Sequence, residues 1–216
     1  GARGAGIPGL VAGPVVLEVA ALDRDNSQEL LERMLDVEGM PEEVRSRIVS
    51  KADGNPFYLE EVLRSLIDSG AIANEGGTWR ATSRIDQANV PNTLSGVLSA
   101  RIDRLPHATR DVLQTAAVIG REFASPVLSA VMRSNASAPD VLPYLEELSD
   151  EDLINHVLLA DADFRFKHEL TRDAAYQRLL LRRRRELHAC VARELEARSG
   201  KHLTEMARLL AYHYLL

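Results

Sequence analysis

The sequence has little of several residue types, and each scarcity excludes a class of protein. Cys190 is the only cysteine among the 216 residues, so no internal disulfide can form and a reducing, cytoplasmic location is expected. Aromatic residues make up 5% of the chain, which favours helices over a β-sandwich. No apolar run approaches the roughly 18 residues that a membrane-spanning helix needs, so no membrane partner is expected.

Signatures of catalysis are also missing from the chain. His168 begins an HExxH-like string that ends in arginine instead of the second zinc ligand, and there is no GxSxG, paired CxxC or GxxxxGK[ST] motif. Gly4 to Gly9 fits the GxGxxG spacing, but no strand or helix pattern flanks it. Residues 1–14 are therefore expected to be a linker or the remnant of an upstream segment, and no catalytic residue or metal ligand is predicted.

What the sequence does contain is helical periodicity, first in residues 15–75. A helix is predicted to start at Asp25 and to end at Gly39, and a second is predicted to follow directly. A third starts at Gly54-Asn55-Pro56, where asparagine can cap free N–H groups and proline has the φ of a first helical residue. With a possible short strand at 15–19, these segments predict a small helical bundle.

A change of character near residue 73 separates this bundle from a second unit. Glycines and scattered polar residues predict a connecting loop over 76–92, with a two-stranded flap as the alternative. Residues 93–181 show helical patterns followed by the alternation of a β-hairpin, an order typical of a winged-helix domain. Residues 182–216 return to helical spacing. The predicted fold class is mainly α, with a winged-helix domain, a β-hairpin wing and C-terminal helices.

Two sets of titratable residues have alternative interpretations. Arg182–Arg185 could meet the phosphates of a nucleic acid or nucleotide, but four successive residues spread around a helix, so a solvated face is favoured. Five histidines show no metal-ligand spacing and are expected to cap, pack or lie on the surface. These are His107, His156, His188, His202 and His213.

Several short strings, in a fixed order along the chain, carry a family resemblance. They are Gly54-Asn55-Pro56-Phe57-Tyr58-Leu59-Glu60-Glu61, Val90-Pro91, Ala100-Arg101-Ile102-Asp103-Arg104-Leu105-Pro106, the segment from Gln114 to Phe123, and Phe166-Lys167-His168-Glu169-Leu170. Over most of residues 17–214 the chain resembles the AAA+-related signal-transduction ATPases with numerous domains, the STAND class. The nearest likeness is to bacterial modules found beside class III adenylate or guanylate cyclases and in large helix-turn-helix regulators.

The resemblance implies a fold, a cofactor and a site. Residues 15–75 would be the last strand and helical lid of a nucleotide-binding ATPase, and residues 93–181 its winged helix. In such ATPases a glycine-any-proline motif lies against the bound ATP or ADP, so Gly54, Asn55 and Pro56 would line the nucleotide site, with Gly54 and Pro56 against base and sugar. His168 stands where relatives carry the histidine of Met-His-Asp and would read the β-phosphate. A structural histidine at the hairpin-to-helix junction is the alternative.

The phosphate loop and acidic metal-binding strand of such an ATPase are not in the sequence. The resemblance therefore implies an upstream P-loop domain of the same polypeptide, through which Mg would be held, and downstream helical repeats, whose start Leu209 to Tyr214 resemble. It also implies an attached effector domain or self-association. The expected function is to couple the ADP or ATP state to an effector such as a cyclase or transcription regulator, without catalysis by this chain alone.

Two other functions remain open at this stage. A DNA-binding winged helix would need basic side chains on its recognition helix, which by order is Asp140 to Ser149. That segment carries three acidic residues and no Lys or Arg, so DNA is not an expected partner. The other alternative is a non-enzymatic interaction scaffold.

Overall fold

The computed structural model describes residues 20–133, 140–200 and 203–216. Within these ranges the chain is mainly helical, with two small three-stranded sheets, which confirms the coarse fold class. The linker predicted at 1–14 and the strand predicted at 15–19 lie outside the described residues. No helix in the described ranges is both long and apolar enough to cross a membrane.

The first unit packs three helices against a short sheet. Its elements are α1 (Arg24–Met34), β1 (Val37–Glu38), α2 (Glu42–Ala52), α3 (Pro56–Asp68), β2 (Ile72–Glu75) and β3 (Thr78–Ala81). Strand β3 is central, parallel to β1 and antiparallel to β2. Leucine, isoleucine and valine side chains from all three helices form one core with Ile72 from β2.

Two boundaries in the first unit differ from the prediction. Helix α1 is capped by Asp23, whose carboxylate accepts a hydrogen bond from the Asn26 N–H at 2.7 Å, rather than by Asp25. It ends at Met34, well before Gly39, because Leu35 is already extended ahead of β1.

The connecting loop predicted over 76–92 is wrong in its first half. Residues 78–81 form β3, and a 3-10 turn follows at Ile85–Gln87. Ile85 and Val90 are buried in the core of the first unit. The two-stranded flap was the better alternative, and β1 extends it to three strands.

The second unit has its own core. Its elements are α4 (Leu94–Arg104), α5 (His107–Ile119), β4 (Glu122–Phe123), α6 (Ser125–Arg133), α7 (Leu142–Asp150), β5 (Ile154–His156), β6 (Phe164–Phe166) and α8 (Glu169–Gln177). The predicted hairpin is confirmed as antiparallel β5 and β6, and β4 adds a third strand beside β6. The ring of Phe123 packs between those of Phe164 and Phe166, with centroids 5.9 and 5.8 Å away.

Helices α9 (Leu181–Ser199) and α10 (Leu203–Leu215) follow as predicted and pack on each other. Two buried histidines join them, because Nδ1 of His188 lies 2.8 Å from Nδ1 of His213. Nε2 of His188 is 2.9 Å from the Tyr176 hydroxyl of α8. A hydrogen bond between two Nδ1 atoms requires that at least one ring be neutral. Burial, helped by the neighbouring His188, lowers the pKa of His213 to about 4.

The buried histidine pair predicts loss of stability in mild acid. Between pH 6.5 and about 4 the unfolded chain takes a proton on His213 that the folded chain does not. The unfolding free energy should therefore fall across this window, by about 3 kcal/mol from this residue. Urea unfolding at a series of pH values measures this fall in the unfolding free energy.

His213→Leu should flatten the dependence of the unfolding free energy on pH. His107→Ala, at a side chain that is 87% exposed, should leave that dependence unchanged. Equal dependence on pH in the unmodified protein and both variants would contradict the assignment to His213.

Candidate functional site

The start of α3 has the local structure that its sequence predicts. Asp53 and Gly54 both have positive φ, 46° and 74°, which reverses the chain after α2. Asn55 then caps α3 by accepting a hydrogen bond from the Phe57 N–H at 3.0 Å, and Pro56 is the first helical residue. Asn55 and Pro56 are exposed to solvent.

Gly54 is buried beneath the chain's own backbone. A Cβ at this position would lie 2.2 Å from the carbonyl oxygen of Leu22 and 2.9 Å from Cβ of Ala21. The Leu22 N–H also donates a hydrogen bond to the Gly54 carbonyl at 3.0 Å. The close approach that requires glycine is thus made by Leu22, which corrects the expectation that Gly54 leaves its open face to a base or sugar.

The fold brings the start of α3 next to His168. His168 precedes α8 at the end of β6, and its ring lies against that of Phe57, with centroids 3.8 Å apart and planes inclined by 35°. His168 therefore lies against the residue that directly follows Pro56 in the chain. Phe57 belongs to one of the strings that carry the resemblance, but no role was predicted for it. The signal for such a role in the sequence is an aromatic residue directly after the proline that starts α3.

His168 lies in surroundings that favour its neutral form. Burial lowers its pKa first, and the charge of Lys167 lowers it further, while nearby carboxylates act in the opposite direction. Its Nε2 atom is buried and has no hydrogen-bond partner among the described residues. The ring is therefore neutral at pH 7 and has one nitrogen available to donate or accept a hydrogen bond.

Ion pairs hold the hairpin onto the side of α3. Nζ of Lys167 lies 2.8 Å from Oε1 of Glu60 and also pairs with Asp152, and Arg64 reaches Asp152 at 2.6 Å. Burial lowers the pKa of Lys167, but hydrogen bonds to Asp152 and Glu60 outweigh this and raise it overall. Burial likewise raises the pKa of Asp152, and Lys167 and Arg64 reverse that effect. The shifts in the pKa of Lys167 and of Asp152 both favour the charged forms of this pair.

A second ion pair on α3 is shielded from water. Glu61 and Arg101 of α4 approach to 2.6 Å, and each side chain is only 2% exposed. Arg101 also donates to the Glu151 carbonyl at 2.6 Å. This ion pair was not predicted, because in the sequence Glu61 and Arg101 are only two members of the strings that carry the resemblance.

The charged groups at this junction do not form a metal centre. Among residues 20–133, 140–200 and 203–216, no three His, Cys, Asp or Glu side chains are placed to hold a metal ion. The arrangement instead offers an exposed proline and asparagine, one neutral imidazole, and cations already paired with carboxylates.

A comparison with known protein families matches the first unit. A family model described as a domain of unknown function (DUF8739) matches residues 23–80, from the cap of α1 into β3. The chain is similar to that domain over this span, which includes the Gly54-Asn55-Pro56 turn and ends within the first sheet. No curated protein matches the chain.

Substituting Gly54 should destabilise the protein far more than substituting another glycine with the same φ. Gly39 also has φ +74, but nothing lies within 4 Å of its Cβ position. Gly39→Ala should lose about 1 kcal/mol from strain alone. Gly54→Ala should lose about 3 kcal/mol or more, because the methyl group meets the Leu22 backbone. Urea unfolding compares the two, and similar losses would mean that residues 21–22 do not cover this turn in solution.

Removing the buried charge of Glu61 should destabilise the protein strongly. Glu61→Gln leaves Arg101 buried without its closest carboxylate, with an expected loss of about 3 kcal/mol. Glu38→Gln is the matched control, since Glu38 and Arg80 form an exposed pair, 60% and 52% accessible, worth less than about 1 kcal/mol. Thermal and urea unfolding measure both. A loss at Glu61 no larger than at Glu38 would show that the pair is open to water.

Proposed function

We propose that this chain is the helical lid and winged-helix part of a nucleotide-switched signalling ATPase of the STAND class. It would couple the ADP or ATP state to an attached effector such as a cyclase or transcription regulator, in the cytoplasm. The observation that carries the proposal is the contact between Phe57 and His168. Two motifs chosen from separate parts of the sequence for the same nucleotide lie next to each other.

The topology of the second unit supports the winged-helix part of the proposal. Helix α5 is followed by β4, then by α6 and α7, and then by the hairpin of β5 and β6. Strand β4 pairs with β6, so the sheet order is β4-β6-β5. Helices, a short strand and a terminal hairpin in this order are the arrangement of a winged helix, with the hairpin as the wing.

In this proposal Asn55 and Pro56 contact the base and sugar, and Nε2 of His168 hydrogen-bonds to the β-phosphate. A nucleotide phosphate would supply the partner that this buried nitrogen lacks among the described residues. Phosphate-loop and Mg contacts would come from an upstream P-loop domain of the same polypeptide. Helix α3 would pass a change at its start to the second unit, because Glu60, Glu61 and Arg64 all form ion pairs across that junction.

A DNA-binding function is less consistent with the charges. In a winged helix α7 would by order be the recognition helix, and it carries Glu146, Glu147 and Asp150, but no Lys or Arg. Such a surface repels the phosphate backbone that supplies most non-specific DNA affinity. The other alternative is an interaction scaffold that binds no nucleotide, and the experiment below tests it.

The proposal predicts separable effects on nucleotide affinity in the natural polypeptide with its P-loop domain. Pro56→Ala should weaken ADP and AMP alike, because it alters the base contact. His168→Ala should weaken ADP about tenfold, the loss of one charge-assisted hydrogen bond, while AMP binding stays unchanged. Titration with fluorescent nucleotide measures both.

The control is His107→Ala, on the exposed surface of α5. This variant should bind ADP and AMP with the same affinity as the unmodified protein. If neither Pro56→Ala nor His168→Ala changes affinity while unfolding curves show both variants folded, the proposed site is wrong. A natural polypeptide without a P-loop domain would overturn the proposed function itself.

A further inference from the structure

The start of α9 exposes an unusual pair of apolar side chains. Leu180 is 80% and Leu181 62% exposed, although leucine is most often buried. They immediately precede the arginine run, whose first member, Arg182, has a side chain 93% accessible. We call residues 180–185 the leucine–arginine corner.

The arginines of this corner are not equivalent. Arg184 is used within the fold, donating to the carbonyl oxygens of Tyr176 and Gln177 at 3.1 and 2.7 Å. Arg182 and Arg183 share a single carboxylate, Glu186. Arg185 has no ion pair among the described residues. The corner therefore combines exposed apolar surface with a net positive charge.

A groove with an apolar floor lies at the other end of α9. It has a volume of about 830 Å³ and runs between the wing and the α9–α10 pair. Its floor is apolar, formed by Ile119, Phe123, Val127, Leu195, Met206 and Leu209. We call it the wing groove.

The charged side chains that line the wing groove are Glu122, Asp161 and Arg198, and Glu122 is paired with Arg165 at 2.7 Å. Asp161 lies on its rim and has no ion pair among the described residues, whereas Arg198 on the same rim is paired with Glu194 at 2.5 Å. The adjoining wing tip exposes Leu158 completely.

We propose that the leucine–arginine corner of one chain docks into the wing groove of a second copy. The leucines would fill the apolar floor, and the arginines would meet Asp161. The two surfaces match in both apolar character and charge, which is the requirement for a specific contact. This contact involves neither Pro56 nor His168 and does not depend on nucleotide.

A chain cannot fill its own groove in this way. The corner is the first turn of α9, and Arg198 of the groove is in its last turn, roughly 25 Å along the helix axis. The contact is therefore head-to-tail, and each chain in an assembly would offer one corner and one groove. Such a heterologous contact produces rings or open filaments rather than a two-fold dimer.

The test uses two variants of the 216-residue chain that each lose one surface. Leu180→Glu with Leu181→Glu removes the corner, and Asp161→Arg with Leu209→Arg removes the groove. The unmodified chain should associate with concentration and dissociate with added salt. Each variant alone should weaken association at least tenfold. An equal mixture should form a one-to-one dimer and nothing larger, because only one intact corner–groove pair remains.

Leu142→Glu is the control, an exposed leucine on α7 outside both surfaces. It should associate as the unmodified chain does, by sedimentation velocity and light scattering, and circular dichroism should show every variant folded. The proposal is overturned by an unmodified chain that stays monomeric, by a mixture that does not dimerise, or by an equal loss of association in Leu142→Glu.

Discussion

The buried ion pair between Glu61 and Arg101 is the contact on which the arrangement of the two helical units depends. A carboxylate and a guanidinium taken out of water are stable only while they remain paired. Arg101 also binds the Glu151 carbonyl, so α3, α4 and the turn after α7 meet at one side chain. The two units can separate only if both charges become hydrated again. This ion pair therefore holds the junction between the units in place.

Helix α3 therefore serves both ends of the candidate site. Its first residues form the exposed Asn55-Pro56 turn, and the next two turns carry Glu60, Glu61 and Arg64 into the junction. A helix is stiff over this length, because each residue is hydrogen-bonded to the turns on either side. A displacement at Pro56 must accordingly be felt at the hairpin. This mechanical link holds whatever ligand, if any, lies against the proline.

Local patterns in the sequence predicted the helices, and contacts between distant segments account for most of what was missed. Apolar stripes and caps predicted α3 and α4, and alternation predicted the hairpin, since those signals lie within a few residues of each other. Strands β1 and β4 have two residues each and exist only through pairing with distant partners. The same holds for Glu61 with Arg101, 40 residues away, and for Phe57 with His168. Gly54 looked like a ligand position because its covering residue, Leu22, is in another segment.

The ion pairs of Lys167 at the hairpin differ from the buried pair of Glu61 and Arg101 in their exposure to solvent. Lys167 meets Glu60 and Asp152, and the three side chains are 23–31% exposed. Partly solvated ion pairs are weakened by salt and can exchange partners with water or anions, while a fully buried pair cannot. Of the two contacts, the Lys167 cluster is thus the one that can open while Glu61 and Arg101 stay together. Motion at this junction should be rotation of the hairpin about the α3–α4 contact, next to His168.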